Sequence, residues 1–291
     1  MNLIIETDIG HDPDDFFAIS YLAAAGVDIR AILISPGDPD QIAIARFLCK
    51  EIGINIPIGA SKLDRAKLSS GSIHHDFLKK YHYPLEEKAD DLGSEIIKSV
   101  ISEFPDSELF VIGPVSSVGK YINENPAVSF RRATMQGGFL PYSLHMPKSP
   151  KQDFIDKHWV PTFNLNGDRP NALNYLNANI GKRQMVGKNI CHTVFFDRET
   201  FSTWNPKEAK NKDAARLFGE AAELYFARHE NKKFHDPTAA CLHLHPEIGT
   251  WYNGKTTKME SGWTTVPDPS GDSILADVDY DLLWDHLMSC T

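Results

Sequence analysis

Cysteine is scarce in this chain of 291 residues. Its four cysteines, Cys49, Cys191, Cys241 and Cys290, stand far apart, and no pair has zinc-ligand or redox-motif spacing. That excludes a disulfide scaffold, and four free thiols point to a reducing compartment. Basic runs are also missing. None exceeds two residues, Lys79-Lys80 being an example, and the net charge is -9. Such a chain repels phosphate polymers and anionic lipid, so neither nucleic acid nor a membrane surface is expected as a partner. No apolar run nears the ~18 residues of a membrane span. The start, Met1-Asn2-Leu3-Ile4-Ile5-Glu6, reaches a charge after three apolar residues, too early for a signal-peptide core. A cytoplasmic location is the expectation. Repeats of 20–50 residues and low-complexity tracts are absent as well.

What is present is an alternation of short apolar runs with longer amphipathic ones. Leu3–Ile5, Ile29–Ile34, Leu109–Ile112 and Arg132–Met135 read as strands. Helices are predicted over Asp14–Ala25, Asp40–Ile52 and Ser116–Asn123. This order implies βαβ units and a parallel sheet, and strands rich in Val, Ile and Leu suit a sheet covered on both faces. Pro141–Val160 has no period and reads as a long loop. Lys212–Ala227 is helical, a further helix starts at Asp236, Gly254–Val278 reads as hairpin-like edge strands, and Tyr280–Met288 closes the chain as a helix. No linker divides the halves. The expectation is a single α/β domain over residues 1–291, with a mostly parallel, doubly wound, Rossmann-like sheet flanked by helices.

The densest chemistry lies at Glu6-Thr7-Asp8-Ile9-Gly10-His11-Asp12-Pro13-Asp14-Asp15, between the first strand and the first helix. Four aspartates there repel one another. Asp12-Pro13 reads as a helix start with Asp12 at the N-cap, and Asp14 and Asp15 would sit in the first turn, where the helix dipole favours carboxylates by ~0.3–1 kcal/mol each. Asp8 lies outside that account. A hard cation such as Ca2+ or Mg2+ between Asp8 and Asp15 would offset the remaining repulsion. Related punctuation recurs: Asp38-Pro39 after the second strand, Gly113-Pro114 after the third, Gly137-Gly138 after the fourth, and His235-Asp236-Pro237 before a late helix. Any one Asp-Pro is also an ordinary helix start. Together they fall at one rim of a doubly wound sheet, where ligands bind.

These segments resemble, in order, those of the nucleoside hydrolases, the calcium-dependent inosine-uridine preferring ribohydrolases. That family opens with Asp-x-Asp-Pro-Gly-x-Asp-Asp between strand and helix; here the segment is two residues longer and begins with Glu6. Ile112-Gly113-Pro114-Val115-Ser116-Ser117 is similar to its Gly-Pro segment, and Gln136-Gly137-Gly138 to its Met-Gly-Gly. Thr162-Phe163-Asn164, followed by Asp168 through Ala172, resembles its Glu-Phe-Asn and Asp-Pro-Glu-Ala. His235-Asp236-Pro237 matches its His-Asp-Pro.

The resemblance implies the nucleoside hydrolase fold and Ca2+ bound by Asp8, Asp15, Asp236 and the carbonyl of Ile112, with places left for water and two ribose hydroxyls. It implies hydrolysis of an N-glycosidic bond of a ribonucleoside to free base and ribose, with Asp8 at the metal taking the proton of the attacking water. Asp14 would hold the 2'-hydroxyl. Asn164 and Asp38 would hold the other hydroxyls, and His235 would act as general acid to the leaving base. A histidine at a helix start can also simply pack. His74 and His75 fall near the family's base pocket, and Trp159 either stacks on a base or packs. Two departures stand out: Asp38 for the usual Asn, and Thr162 for a Glu that binds the 5' side of the ribose. A neutral Thr162 admits a 5'-modified or phosphorylated substrate. Asp156 falls where an Asn is expected. Family members are usually dimers or tetramers, so a homo-oligomer is implied. Three other readings stay open: a hydrolase of a larger ribosyl compound such as NAD, a non-catalytic ribonucleoside-binding homologue, and a phosphatase with its nucleophile at Glu6.

Overall fold

The apolar runs pair side by side into one large sheet. The structure is a computed structural model that describes residues 1–69 and 71–291. Its strands are β1 (Asn2–Thr7), β2 (Asp28–Ile34), β3 (Ile58–Ala60), β4 (Asp91–Leu92), β5 (Glu108–Val111), β6 (Ser129–Gln136), β7 (Asn179–Val186), β8 (Phe195–Asp197), β9 (Asn231–Lys233), β10 (Gly249–Lys258), β11 (Trp263–Pro267) and β12 (Asp272–Val278). The sheet order is β11-β10-β12-β7-β6-β5-β1-β2-β3-β4. From β12 to β4 every neighbouring pair is parallel, and β10 and β11 add an antiparallel edge. β8 and β9 form a separate antiparallel ribbon. The chain is therefore an α/β protein built on a mostly parallel central sheet; of the segment read as hairpin-like edge strands, β10 and β11 form the antiparallel edge, whereas β12 lies inside the sheet, parallel to β7.

Both faces of the sheet are buried. Leu3 and Ile5 of β1 enter one apolar cluster while Ile4 enters the other; Phe110 of β5 joins the first, Leu109 and Val111 the second. This is the period-2 alternation of a strand covered on both sides. The helix Asp14–Ala24 is buried along its whole length, against the helices Lys212–Phe226 and His235–Leu244. Phe17 supplies part of the contact, its ring 4.9 Å from Phe218 and 5.3 Å from Phe234. No helix among the described residues is long and apolar enough to cross a membrane.

Sheet order decides where a ligand can sit. The chain proceeds from β1 outward to β4, then returns to the other side of β1 with β5. That reversal opens a crevice at the carboxyl ends of β1 and β5. Asp8 and Ile112 each follow directly after one of these strands.

Two expectations change. Asp12 does not cap the first helix. Pro13 occupies that position, without a side-chain cap, because the Asp12 carboxylate is drawn to the Lys232 ammonium 2.8 Å away. The 141–160 segment is a loop, yet it is packed. Tyr142 donates its hydroxyl to the Asn189 carbonyl (2.8 Å), and Phe139, Tyr142, Phe154 and Val160 share a small core. Trp159 lies against Gly262, and Asp156 is exposed.

Candidate active site

β1 delivers the acidic segment to the crevice. Gln41 fixes its path: its side-chain amide donates to the Asp8 carbonyl at 3.0 Å and accepts from the Asp38 N–H at 2.9 Å. Thr7 donates its hydroxyl to Asp15 and accepts from the Ile9 N–H at 3.1 Å. Gly113 lets the end of β5 pass close by, since a Cβ there would lie 2.5 Å from the Asp8 nitrogen. Asp14 and Asp15 occupy the first helical turn as expected. From the far end of the chain, the helix His235–Leu244 brings Asp236 beside them.

Carboxylate oxygens of Asp14, Asp15 and Asp236 all lie within 4.8 Å of one another, and all three residues are buried. The Asp8 N–H points at Asp15 Oδ1, 3.3 Å away. Burial, followed by the negative fields of Asp14 and Asp12, pushes the Asp8 carboxyl up to about 8. Burial and the same mutual repulsion raise Asp15 and Asp236 well above the carboxylate range. Such a group of hard oxygen donors fits a hard divalent cation, which would restore the ionised forms.

On the β5 and β6 side, Asn164 anchors the rim. Its side-chain amide nitrogen lies 3.0 Å from the Ile112 carbonyl, 3.0 Å from the Gln136 carbonyl and 2.9 Å from Gln136 Oε1. The carbonyl expected to bind the ion is thus held by the residue expected to bind the ribose. On the opposite side, His235 Nδ1 stands 3.5 Å from Asp14 Oδ2. Its Nε2 is buried without a partner among the described residues.

Residues 3–285 match the family model described as inosine-uridine preferring nucleoside hydrolase. The chain belongs to that family. It is a glycosidase that hydrolyses N-ribosyl bonds. An uncharacterised protein of Aquifex aeolicus (strain VF5) is 23% identical over 252 residues, covering 83% of this chain and 81% of its own. Among solved structures, the inosine-uridine preferring nucleoside hydrolase of Bacillus anthracis superposes with a TM-score of 0.73 at 15% identity, covering 99% of this chain and 98% of its own. A plant nucleoside hydrolase gives 0.70 at 17%, with the same coverage. The purine-preferring ribonucleoside hydrolase of Gardnerella vaginalis gives 0.68 at 17%, covering 100% and 98%. At these identities the structural likeness concerns the fold.

The remaining candidate residues of this hydrolase divide by environment. Asp38 heads the helix Pro39–Glu51 and pairs with Arg65 at 2.6 Å, a partner the sequence did not suggest. His74 is buried, with Nδ1 3.1 Å from the Gly71 carbonyl, and burial pulls its pKa down to about 4. His75 pairs with Asp40 at 2.7 Å. Thr162 is buried, and its hydroxyl has no partner among the described residues. Glu6 turns away from the crevice: its carboxylate accepts from the N–H groups of Ser117 (2.6 Å) and Val118 (3.0 Å) at the start of the helix Ser116–Glu124. A carboxylate committed to a helix N-terminus is not an available nucleophile, which removes the phosphatase alternative.

Sequence reasoning missed Lys232 and His192. Lys232 is buried, 2.8 Å from Asp12 and 3.4 Å from Asp14. Burial pulls its ammonium down, but the fields of Asp14 and Asp12 outweigh that and hold it above its ordinary range. His192 stacks on His235, rings 4.7 Å apart and 18° from parallel. Burial, then Lys232, pulls His235 down to about 3; burial, then His235, does the same to His192. The signal for Lys232 was its place three residues before His235, inside a short polar run with no apolar pattern.

Proposed function

We propose that this hydrolase cleaves the N-glycosidic bond of ribonucleosides to free base and ribose, with Ca2+ held by Asp8, Asp15, Asp236 and the Ile112 carbonyl. The observation that carries the reading is the group of buried carboxylates at the switch point of the sheet, which side-chain cations alone do not neutralise. When bound, Ca2+ supplies positive charge to the carboxylates and positions for water and two ribose hydroxyls.

The chain's own residues divide the rest. Asp8 accepts the proton of the attacking water. Asp14 accepts from the ribose 2'-hydroxyl, and Lys232 and His235 hold its carboxylate in place. Asn164 and Asp38 hold the other hydroxyls, His74 and Thr162 complete the binding wall, and carboxylate charge in a dry crevice favours the positive ribosyl transition state. His235 faces the departing base as a neutral ring, so we assign it an N–H hydrogen bond to the base as negative charge develops there. A homo-oligomer of two or four chains belongs to the same proposal, and light scattering reads it directly.

The test is a panel of ribonucleosides, 2'-deoxyribonucleosides and NAD, with liberated base quantified with and without chelator. Release of base from a ribonucleoside, suppressed by chelator and restored by Ca2+, is the expected result. A 2'-deoxy substrate should be poorer by ~10^2, because it leaves Asp14 unpaired. Ca2+ binding without release of base from any compound would establish the non-catalytic alternative instead.

A further inference from the structure

Four lysines gather about the His192–His235 stack beside this acidic crevice. Lys188 follows β7 at the same rim, its N–H bonded to the Gly138 carbonyl at 3.0 Å, and opens the helical turn Lys188–Cys191 that ends at His192. Lys232 reaches Asp12 and Asp14, and its ammonium also bonds the Lys233 carbonyl at 3.0 Å. Lys151 lies 5.8 Å over the Phe154 ring, which stands 5.7 Å from His192. The positive fields of Lys188, Lys233 and Lys151 all converge on the His192 ring. Lys151 and Lys232 have carboxylate partners. Lys188 and Lys233 form no ion pair among the described residues, in a chain with nine more acidic than basic side chains. Both are half-buried. Burial, together with the field of Lys233, pulls the Lys188 ammonium below its ordinary value.

A half-buried ammonium that forms no direct ion pair recovers only part of the hydration it loses; Lys233 shares the field of Asp153, which is already paired with Lys151 at 2.5 Å. Two such groups beside one crevice suit an anion. The site is therefore bipolar, carboxylates within and lysines beside it. We propose that Lys188 and Lys233 bind an anionic group carried by the ribosyl substrate, so that this site takes a ribosyl compound with a phosphate or carboxylate in preference to a plain nucleoside. The inference rests on the ribonucleoside reading of the site. Charge-assisted hydrogen bonds to an oxyanion would supply the selectivity.

Two sources of the anion are distinguishable with three uracil ribosides: uridine, uridine 5'-phosphate and orotidine, which carries its carboxylate on the base. Binding in the presence of Ca2+, read as a calorimetric affinity where no base is released and as KM where it is, is compared for the native chain and for Lys188→Gln/Lys233→Gln. The anion site predicts at least tenfold tighter binding of one charged riboside than of uridine, with the ratio falling toward one in the double variant and, for the native chain, at raised salt. The 5'-phosphate winning places the anion on the ribose, and orotidine winning places it on the base. Equal affinity for all three, or a preference that survives the double substitution, overturns the proposal. Base release is scored separately. Charged ligands that bind in the predicted manner without release of base would sink the hydrolytic reading and leave the anion site standing.

Discussion

At the scale of single residues, the site places opposite demands on its carboxylates. Without a cation, Asp8, Asp15 and Asp236 are driven toward their neutral forms; in the proposed site they are its ligands. Asp15→Ala and Asp236→Ala should each abolish Ca2+ binding in calorimetry and lower kcat/KM by at least ~10^3, on the order of 4 kcal/mol of transition-state stabilisation. Unchanged Ca2+ affinity in either variant would remove the metal assignment. His235 allows a sharper test. Substitution by Ala should cost about 10–100-fold on inosine or uridine, the worth of one hydrogen bond to a charged leaving group. Most activity should survive on p-nitrophenyl riboside, whose leaving group is already a stabilised anion. Equal losses on both substrates would mean that His235 supports Asp236 and does not serve the base.

At the scale of elements, the site depends on two strands ending close together. Gly113→Ala would drive a Cβ into the Asp8 backbone, and the end of β1 must then shift. We expect a loss of about 1–3 kcal/mol in unfolding free energy, as for other overpacked positions, together with weaker Ca2+ binding. Urea titration and calorimetry on the same preparation read both, and intact Ca2+ affinity would show that the acidic loop does not depend on this contact. The elements also show what a sequence reveals. β1 and β5 were legible because each carries a continuous apolar run buried on both faces, and β2 because only Arg30 interrupts the run Ile29–Ile34. β7 was not, because Lys182 and Arg183 interrupt it; Arg183 is nonetheless buried, bonded to Asp272 at 2.8 Å and to the carbonyls of Tyr175, Leu176 and Ala178. β3 and β4 are too short to carry a pattern. β9 carries two lysines, and with it went the lysine rim, although His235-Asp236-Pro237 two residues later was plain. The acidic loop was readable as a cluster, but not the pairing that moves Asp12 off the helix start, because Lys232 lies far along the chain.

Across the whole molecule, the sheet also buries a titrating group far from the crevice. His243 is fully buried; Nδ1 is 2.8 Å from the Thr134 hydroxyl and Nε2 3.2 Å from Met1 Sδ, with Glu108 at 3.5 Å, Phe110 against the ring and Arg132 bonded to its carbonyl. Burial, then Arg132, holds its pKa well below 6.5. The unfolded chain therefore takes up a proton that the folded one refuses. The resulting stability is complete above about pH 6.5 and is lost as pH falls toward the folded value. Between pH 6 and 5 the unfolding free energy of His243→Gln should decline less steeply than that of the native chain, by up to about 1.4 kcal/mol per pH unit. Parallel slopes in denaturant titrations would refute this. The first helix has a different consequence, one for synthesis. Asp14–Ala24 is covered by helices from the last third of the chain, and Asp15 meets Asp236 only when that third has been made. At roughly 5–20 residues per second, a ribosome needs about 10–40 seconds between the two aspartates. Throughout most of that interval Phe17 lacks Phe218 and Phe234, so the nascent chain offers chaperones part of an apolar face from its beginning, and the proposed ion site can assemble only once the last third has been made.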